Sequence, residues 1–310
     1  MRFTLDALID PRLHPLVDES RAFYADRTPG RGPSTPDELR AARAAATPVP
    51  ADPPATEETV TVGGRDVRLR ILAPVHKAVR GVFLQLHGGG FYLGSAAMDD
   101  VVNRRLADAL GLAVVSVDYR LAPEHPWPAA PDDCETAALW LAEHAERRFG
   151  TTRLAIGGFS AGATLAMTTL LRLRDRRTPV FDCAVLQFGT YDLSARTPAG
   201  RRIADEYFLR AYCGSAADRT HPDISPIYAD LSDLPPALVV VGEEDILLED
   251  NLAMAARLSA AGSEVDLRVY PAAPHGFTGH PTPMARAARD DIDTWLECQV
   301  TARQQSRTAG

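Results

Sequence analysis

The segment Gly158–Gly162, which reads Gly-Phe-Ser-Ala-Gly, decides the fold of this chain of 310 residues. It follows the apolar run Leu154–Ile156 and precedes a helix-like stretch from Ala163 to Arg174. A serine between two glycines at a strand-to-helix turn is typical of a nucleophile elbow, because glycines leave room for the strained backbone that lifts the hydroxyl group out of the sheet. Ordinary strand-to-helix loops also carry small residues, so the motif needs support from elsewhere in the chain.

A second glycine-rich segment, His87–Phe91, lies upstream and follows the apolar run Gly81–Leu86. Acyl transfer to a serine builds negative charge on the carbonyl oxygen, and the N–H groups of a glycine loop can approach that oxygen closely. We predict Gly88 and Gly89 as donors to this oxyanion, with the N–H of Ala161 as the third. The segment lacks the Lys-Ser/Thr pair of a P-loop and the spacing of a dinucleotide fingerprint. Together, the two segments favour a hydrolase.

A serine nucleophile also needs a base and a carboxylate that orients the base, in the chain order Ser, Asp, His. The apolar run Ala237–Val241 leads into an acidic cluster that contains Asp245, and the run Val265–Tyr270 leads into a loop that contains His275. We therefore predict a catalytic triad of Ser160, Asp245 and His275. Protonation of the histidine should then lower the activity, because the base must be neutral.

The carboxylate has alternatives in the sequence. Asp245 is also suited to a helix N-terminus, and Glu243, Glu244 or Asp250 could be the partner of the histidine. The histidine has fewer competitors. The chain contains eight histidines. Apart from His275, His87 belongs to the oxyanion loop and the remaining six lack a comparable position after a strand.

One further stretch, Asp118–Ala130, has a distinctive proline-rich sequence that reads Asp-Tyr-Arg-Leu-Ala-Pro-Glu-His-Pro-Trp-Pro-Ala-Ala. With the two glycine motifs and His275–Phe277, it resembles the bacterial hormone-sensitive-lipase-like carboxylesterases of the α/β-hydrolase fold. The resemblance covers about residues 55–300. It implies a serine hydrolase that cleaves short- to medium-chain acyl esters of small molecules through an acyl-enzyme, without a metal or organic cofactor.

Two positions depart from the pattern of that family. Phe159 stands where an acidic residue usually precedes the nucleophile, and Ile246 stands where a proline commonly follows the triad aspartate. A Gly-Phe-Ser-Ala-Gly elbow also occurs in relatives that resemble acetyl esterases of carbohydrate esters, so an acetyl esterase acting on a carbohydrate or natural-product ester is an alternative. Neither departure removes a group that the chemistry needs.

The apolar pattern predicts an α/β fold with a mostly parallel, doubly wound sheet of eight strands flanked by helices. Residues 59–62 and 67–72 alternate as an antiparallel hairpin would, with Gly63 and Gly64 between them. The later apolar runs are separated by stretches long enough for helices, and they lie near residues 82–86, 113–117, 153–157, 183–188, 237–241 and 265–270. The carboxyl ends of parallel strands would then hold the catalytic groups.

Two stretches interrupt this alternation, and the resemblance assigns both to a helical cap. Residues 1–50 form the first part and contain helical patterns at residues 15–27 and 36–45. The second is an insertion at about residues 190–233 in the catalytic domain, residues 51–310, with a helical pattern at residues 201–212.

Aromatic residues of the cap and of the catalytic motifs are candidates for the substrate pocket, because closing a site with apolar side chains excludes water. Aromatic residues at helical spacing also pack a cap onto a body, and this alternative applies to two of them, Phe208 and Tyr212. The predicted substrate-binding residues are Phe91, Tyr92, Phe159, Tyr207, Phe208 and Tyr212.

Composition excludes several other classes of protein. The formal net charge of -8, with 41 acidic against 33 basic residues, disfavours binding to nucleic acid. The apolar runs are shorter than about ten residues, whereas a transmembrane helix needs about 20. The first residues lack a secretory core, so we expect a cytoplasmic protein. The four cysteines have no metal-ligand spacing and are expected to be free thiols.

Some functional alternatives stay open at this level. An acyltransferase or an amidase would use the same triad with a different acceptor or leaving group. A non-catalytic ligand-binding protein on this fold is less well supported, because receptors that resemble the family replace the histidine that is present here as His275. A homodimer through the last strand and helix, near residues 265–300, is a further expectation from the resemblance.

Overall fold

The computed structural model describes residues 4–27 and 32–307. The described part excludes residues 1–3, 28–31 and 308–310. The first and last of these ranges are the outer ends of the two predicted units. The strands are β1 (Thr56–Val62), β2 (Arg65–Leu72), β3 (Gly81–Leu86), β4 (Leu112–Asp118), β5 (Leu154–Phe159), β6 (Cys183–Gln187), β7 (Ala237–Gly242) and β8 (Val265–Tyr270). The helices are α1 (Val17–Ala25), α2 (Pro36–Ala45), α3 (Asp100–Leu110), α4 (Ala129–Phe149), α5 (Ala161–Asp175), α6 (Pro198–Arg201), α7 (Tyr207–Cys213), α8 (Leu248–Ala260) and α9 (Pro283–Arg307).

The strands form one eight-stranded sheet in the order β1-β2-β4-β3-β5-β6-β7-β8. Strand β2 pairs antiparallel with β1 and β4, and all pairs from β4 to β8 are parallel. The predicted α/β class and mostly parallel sheet are therefore confirmed. Strands β3 and β7 are buried along their whole length, which explains why they read as continuous apolar runs.

Successive side chains of the central strands point to opposite faces of the sheet, and each face has its own core. Leu84 and Ile156 pack with residues of α4 and α5, whereas Phe83 and Ala155 pack with residues of α3 and α9. Helices thus cover both faces of the sheet, as expected when parallel strands are joined by helical crossovers. The carboxyl ends of the strands are left for the connecting loops.

The insertion between β6 and β7 differs from its prediction, because the helical pattern at residues 201–212 does not form one helix. Helix α6 ends at Arg201, and α7 begins at Tyr207. Between them the backbone makes tighter turns, in which N–H groups such as that of Glu206 bond to the carbonyl three residues earlier. Glu206 itself is extended (φ -65°, ψ 135°) and starts the second helix.

The N-terminal residues lie in two places. Ile9 forms a bridge with Val269 of β8, and the 3-10 turn Pro11–Leu16 and α1 contact α9. Helix α2 instead packs beside the loops that follow β3 and β4, where Arg43 donates hydrogen bonds to the carbonyl oxygens of Tyr92 and Ala122. Of the described N-terminal residues, 4–25 therefore lie near the β8 edge of the sheet, whereas Pro33 and α2 lie beside the loop that follows β3.

Candidate active site

Ser160 lies on a sharp turn between β5 and α5, with φ 53° and ψ -123°. Few L-residues adopt this conformation, and its strain is a feature of the nucleophile elbow. The turn packs so closely on β3 that a Cβ at Gly158 would lie 2.4 Å from the carbonyl oxygen of Leu86, and one at Gly162 would lie 2.0 Å from it. Glycine is required at both positions, which explains their place in the motif.

The structure brings Ser160, His275 and Asp245 together. The Oγ atom of Ser160 lies 3.0 Å from Nε2 of His275, and Nδ1 of His275 lies 3.0 Å from each carboxylate oxygen of Asp245. The carboxylate is fully buried, whereas the imidazole is 36 % exposed. With Nδ1–H donating to the carboxylate, Nε2 is free to accept the proton of the serine hydroxyl.

The neighbouring carboxylates have other partners. Glu243 accepts a hydrogen bond from the N–H of Ala272, and Asp250 accepts bonds from the N–H groups of Tyr191 and Asp192. Burial raises the pKa of Asp250 to about 7. Glu244 is exposed. Of the four acidic residues that the sequence offers, the structure places Asp245 against the histidine.

The backbone N–H groups of Gly88, Gly89 and Ala161 lie at the two loops beside Ser160. Gly89 has φ 115°, and a Cβ there would lie 2.3 Å from the carbonyl oxygen of Leu93. Within the described part of the chain, no acceptor is bonded to the N–H of Gly88 or Gly89. These N–H groups can therefore receive an oxygen that becomes negatively charged.

Two side chains of the sequence motifs, His87 and Tyr119, hold the oxyanion loop in place. Sequence analysis did not predict this role. The Nδ1 atom of His87 lies 2.8 Å from the carbonyl oxygen of Gly88, and the hydroxyl group of Tyr119 donates a bond of 2.8 Å to the carbonyl oxygen of His87. The two rings stack with their centroids 4.0 Å apart. Burial lowers the pKa of His87 to about 4, so its imidazole is neutral and can donate from Nδ1.

The predicted substrate-binding aromatic residues divide into two groups. Phe91 and Tyr212 are buried and stack on each other with their ring centroids 3.8 Å apart. In this position they pack the insertion onto the body and offer no surface to a ligand, so their assignment to the pocket lining is corrected. Tyr92 is also buried, and its hydroxyl group donates to the carbonyl oxygen of Pro33.

The other three aromatic residues, Phe159, Tyr207 and Phe208, are partly exposed. Tyr207 and Phe208 pack against the ring of Tyr92 with centroid distances of 6.1 and 6.2 Å. The ring of Phe159 covers Gly88, since a Cβ on that glycine would lie 2.5 Å from it. Phe159 therefore occupies, with an apolar ring, the space beside the oxyanion loop.

Phe188 is an aromatic residue that sequence analysis missed. It follows β6 with φ 39°, and its ring meets the imidazole of His275 edge-on at a centroid distance of 5.1 Å. The only signal in the sequence is its position at the end of an apolar run, where an active-site residue and a core residue look the same.

Within residues 4–27 and 32–307, no group of three or more His, Cys, Asp or Glu side chains is arranged to hold a metal ion. None of the helices described there is both long enough and apolar enough to cross a membrane.

Comparison with known proteins identifies the family of this chain. A family model described as the α/β-hydrolase fold matches residues 83–279. The carboxylic ester hydrolase LipN of Mycobacterium tuberculosis is 32% identical over 293 residues, which cover 87% of this chain and 77% of that protein. An arylesterase of Saccharolobus solfataricus is 33% identical over 247 residues, which cover 75% of this chain and 80% of that protein.

Solved structures show the same relationship. A hyperthermophilic esterase of Pyrobaculum calidifontis superimposes with a TM-score of 0.77 at 30% identity, over 93% of this chain and 98% of that one. A thermostable esterase of Pseudomonas putida superimposes with a TM-score of 0.79 at 28% identity, over 91% of this chain and 97% of that one. The chain belongs to the α/β-hydrolase family, as one of its hormone-sensitive-lipase-like carboxylesterases.

Proposed function

We propose that ester hydrolysis by this carboxylesterase proceeds through Ser160, His275 and Asp245. The observation that carries the proposal is the pair of 3.0 Å contacts that link the serine hydroxyl to the imidazole and the imidazole to the buried carboxylate. His275 removes the proton of Ser160 as its Oγ attacks the ester carbonyl, and the N–H groups of Gly88, Gly89 and Ala161 receive the oxyanion.

Collapse of the tetrahedral intermediate releases the alcohol, which takes the proton from His275. Water then attacks the acyl-enzyme in the same way and releases the acid. The buried carboxylate of Asp245 keeps the proton on Nδ1 and stabilises the imidazolium that forms in each step.

Small substrates with short- to medium-chain acyl groups fit this site best. The partly exposed rings of Phe159, Tyr207 and Phe208 supply apolar walls, and a cavity of about 170 Å³ adjoins Phe159 and Phe188. A cavity of about 150 Å³ holds a molecule the size of benzene. Long acyl chains exceed that space.

The test is hydrolysis of p-nitrophenyl esters, from acetate to long-chain esters, by the wild type and by Ser160→Ala. We expect the variant to lose turnover while its circular dichroism spectrum is unchanged, and the wild type to prefer chains of roughly two to eight carbons, given the cavity size. Near-normal turnover by the folded variant would overturn the assignment of the nucleophile.

We further propose that α2 and the insertion together form a cap over the site. Tyr92 supports this, because its hydroxyl group contacts the segment before α2 while its ring contacts Tyr207 and Phe208 of the insertion. Hydrogen exchange should therefore show slower exchange in both segments when a covalent inhibitor occupies Ser160. Unchanged exchange in both would contradict the cap.

A cytoplasmic location and a homodimer also belong to this proposal. The free thiols of Cys134, Cys213 and Cys298 fit a reducing compartment. Strand β8 lies at the edge of the sheet, where Ile9 forms a single bridge to Val269, and the unpaired remainder of an edge strand can pair with another chain. Cell fractionation tests the location, and light scattering after size-exclusion chromatography tests the dimer.

A further inference from the structure

The loop that carries the catalytic base, residues 271–280, follows β8 and is open at its tip. His275 is 36 % exposed. Apart from its chain neighbours, no atom of the described residues lies within 4 Å of a Cβ placed at Gly276. Beyond the contacts of the imidazole itself, the position of His275 therefore depends on how the two ends of this loop, which we call the base loop, are held.

Ala272, near the start of the base loop, has a strained backbone conformation. It is buried, and its φ of 48° lies in the left-handed region that alanine rarely adopts. Such a conformation persists only where the surrounding structure holds it. Glu243 accepts a hydrogen bond of 3.2 Å from the N–H of Ala272, and the hydroxyl group of Ser20 donates one of 2.5 Å to its carbonyl oxygen. Both polar backbone groups of this residue are thus fixed by side chains that are distant in the chain.

Ser20 belongs to α1, which is a mostly exposed helix. Residues 17–25 are all described, and among them Ser20 is the one buried residue, whereas its neighbours Glu19 and Arg21 are exposed. A helix that only covers the body of a protein buries apolar side chains. A serine at the buried position indicates that α1 contacts the base loop through a specific hydrogen bond.

Tyr24 lies one turn after Ser20 on the same face of α1, and it contacts the other end of the base loop. Its hydroxyl group lies 2.8 Å from Nδ1 of His280, and the centroids of the two rings are 5.5 Å apart. Burial lowers the pKa of His280, so its imidazole is neutral and can form this bond. Helix α1 therefore holds the base loop at both ends, at Ala272 and at His280.

The segment before α1 anchors the helix to the body of the molecule. Arg12 pairs with Asp291 of α9, and the hydroxyl group of Tyr270 donates a bond of 2.6 Å to the same carboxylate. Tyr270 is the last residue of β8 and lies two residues before Ala272. The anchor of α1 and the start of the base loop thus share one buried carboxylate.

We propose that Ser20 and Tyr24 are positioning residues, which hold the base loop in the conformation that the triad needs. Both act through the loop and not on the substrate. Only Ala273 and Pro274 separate Ala272 from His275, and the proline ring fixes its own φ, so a shift of Ala272 moves the imidazole. The proposal rests on the proposed function of the triad, and it adds to α1 a role in placing the base.

Ser20→Ala removes the hydroxyl group that holds Ala272. It should lower kcat by about tenfold and leave KM within about twofold, because it displaces the base and not the surfaces that bind the ester. Steady-state kinetics on p-nitrophenyl acetate measures both constants, with circular dichroism as the check on folding. Thr169→Val is the control, since it removes another buried hydroxyl group that donates to a backbone carbonyl oxygen, that of Leu165 in α5. It should leave kcat within about twofold of the wild-type value.

A double-mutant cycle with Asp245→Asn separates positioning of the base from support of the fold. Ser20→Ala should lower kcat by about tenfold in the wild type, but by less than about twofold in Asp245→Asn, where the imidazole is already misoriented. An equal loss in both backgrounds would overturn the proposal, because it would show that Ser20 acts independently of the imidazole. An unchanged kcat in Ser20→Ala would overturn it as well.

Nuclear magnetic resonance gives a readout that needs no turnover. The proton on Nδ1 of His275, in its bond to Asp245, has a resonance downfield of the amide protons, which is observed in protein labelled with ¹⁵N-histidine. Ser20→Ala should shift or broaden this resonance, and Tyr24→Phe, which alters a partly exposed residue, should do so to a smaller extent. Thr169→Val should leave it unchanged.

The same spectra keep this inference separate from the proposed function. They are recorded in the Ser160→Ala background, where the resonance of His275 does not depend on the nucleophile. An unchanged resonance in both α1 variants would overturn the positioning role of Ser20 and Tyr24. Near-normal turnover by Ser160→Ala is a different result and would overturn only the assignment of the nucleophile.

Discussion

The hydroxyl group of Tyr119 donates a hydrogen bond of 2.8 Å to the carbonyl oxygen of His87, and both residues are buried beside the oxyanion loop. In a trans peptide unit the C=O and the following N–H point in opposite directions. This bond therefore orients the N–H of Gly88. The bond from His87 to the carbonyl oxygen of Gly88 orients the N–H of Gly89 in the same way.

We predict that Tyr119→Phe lowers kcat by about two- to tenfold with little change in KM, because one hydrogen bond is worth about 0.5–1.5 kcal/mol. Steady-state kinetics on p-nitrophenyl acetate measures both constants. Tyr228→Phe is the matched control, since it removes the hydroxyl group of an exposed tyrosine that contacts Ser194. Equal kcat values for the two variants would contradict a positioning role for Tyr119.

The triad carboxylate can be tested against its neighbour in the chain. Asp245→Asn should lower kcat by about 10⁴, because an amide next to Nδ1 favours the wrong tautomer of the imidazole. Glu244→Gln removes the charge of an exposed side chain one residue away from Asp245. It should leave kcat within about twofold of the wild-type value. If both variants keep normal turnover, Asp245 does not orient His275.

Arg172 ties the insertion to the body of the molecule. Its guanidinium lies 2.5 Å from Asp223 of the insertion, 2.9 Å from Asp132 and 3.1 Å from Glu135. Arg172→Met removes the cation that pairs with the partly buried Asp223 and should lower the free energy of unfolding by about 3 kcal/mol. The other two carboxylates keep an arginine partner, Arg65 for Asp132 and Arg176 for Glu135.

Urea unfolding measures this loss, and Arg40→Met provides the comparison. The pair that Arg40 forms with Asp37 is largely exposed, so its removal should cost less than about 1 kcal/mol. A similar cost for both substitutions would show that the network around Arg172 does not stabilise the fold.

Asp99 makes stability depend on pH in a defined direction. Its pKa is raised by burial from 3.8 to about 7, so between these values the folded protein keeps a proton that the unfolded chain releases. The free energy of unfolding therefore falls as pH rises through this window. The side chain of Asn in Asp99→Asn cannot ionise, so the variant lacks this pH dependence of the free energy of unfolding.

The Tm of Asp99→Asn minus that of the wild type should thus become more positive from pH 5 to pH 8. Scanning calorimetry at both pH values gives the two differences. Asp37→Asn, which alters an exposed carboxylate, should show no such change. A constant difference for Asp99→Asn would mean that Asp99 ionises normally in the folded protein.

The sequence by itself was sufficient to predict the strands of the sheet and the turn that carries Ser160. The apolar runs of β3 and β7 identify buried parallel strands, since a strand covered on both faces cannot alternate. The glycines at 158 and 162 mark the elbow, because a side chain at either position would strike the carbonyl oxygen of Leu86. These constraints are local, so each one determines the types of neighbouring residues in the sequence.

Tertiary structure decided the partners of groups that are distant in the chain. Burial of Phe91 against Tyr212, and contact of Phe188 with His275, depend on how loops from different strands meet. The choice of Asp245 among four acidic residues follows from which side chain faces the loop after β8. The cavity beside Phe159 exists only because α3 and α9 leave a gap on the sheet. Such relationships arise from packing in three dimensions, for which hydrophobic periodicity along the chain carries no signal.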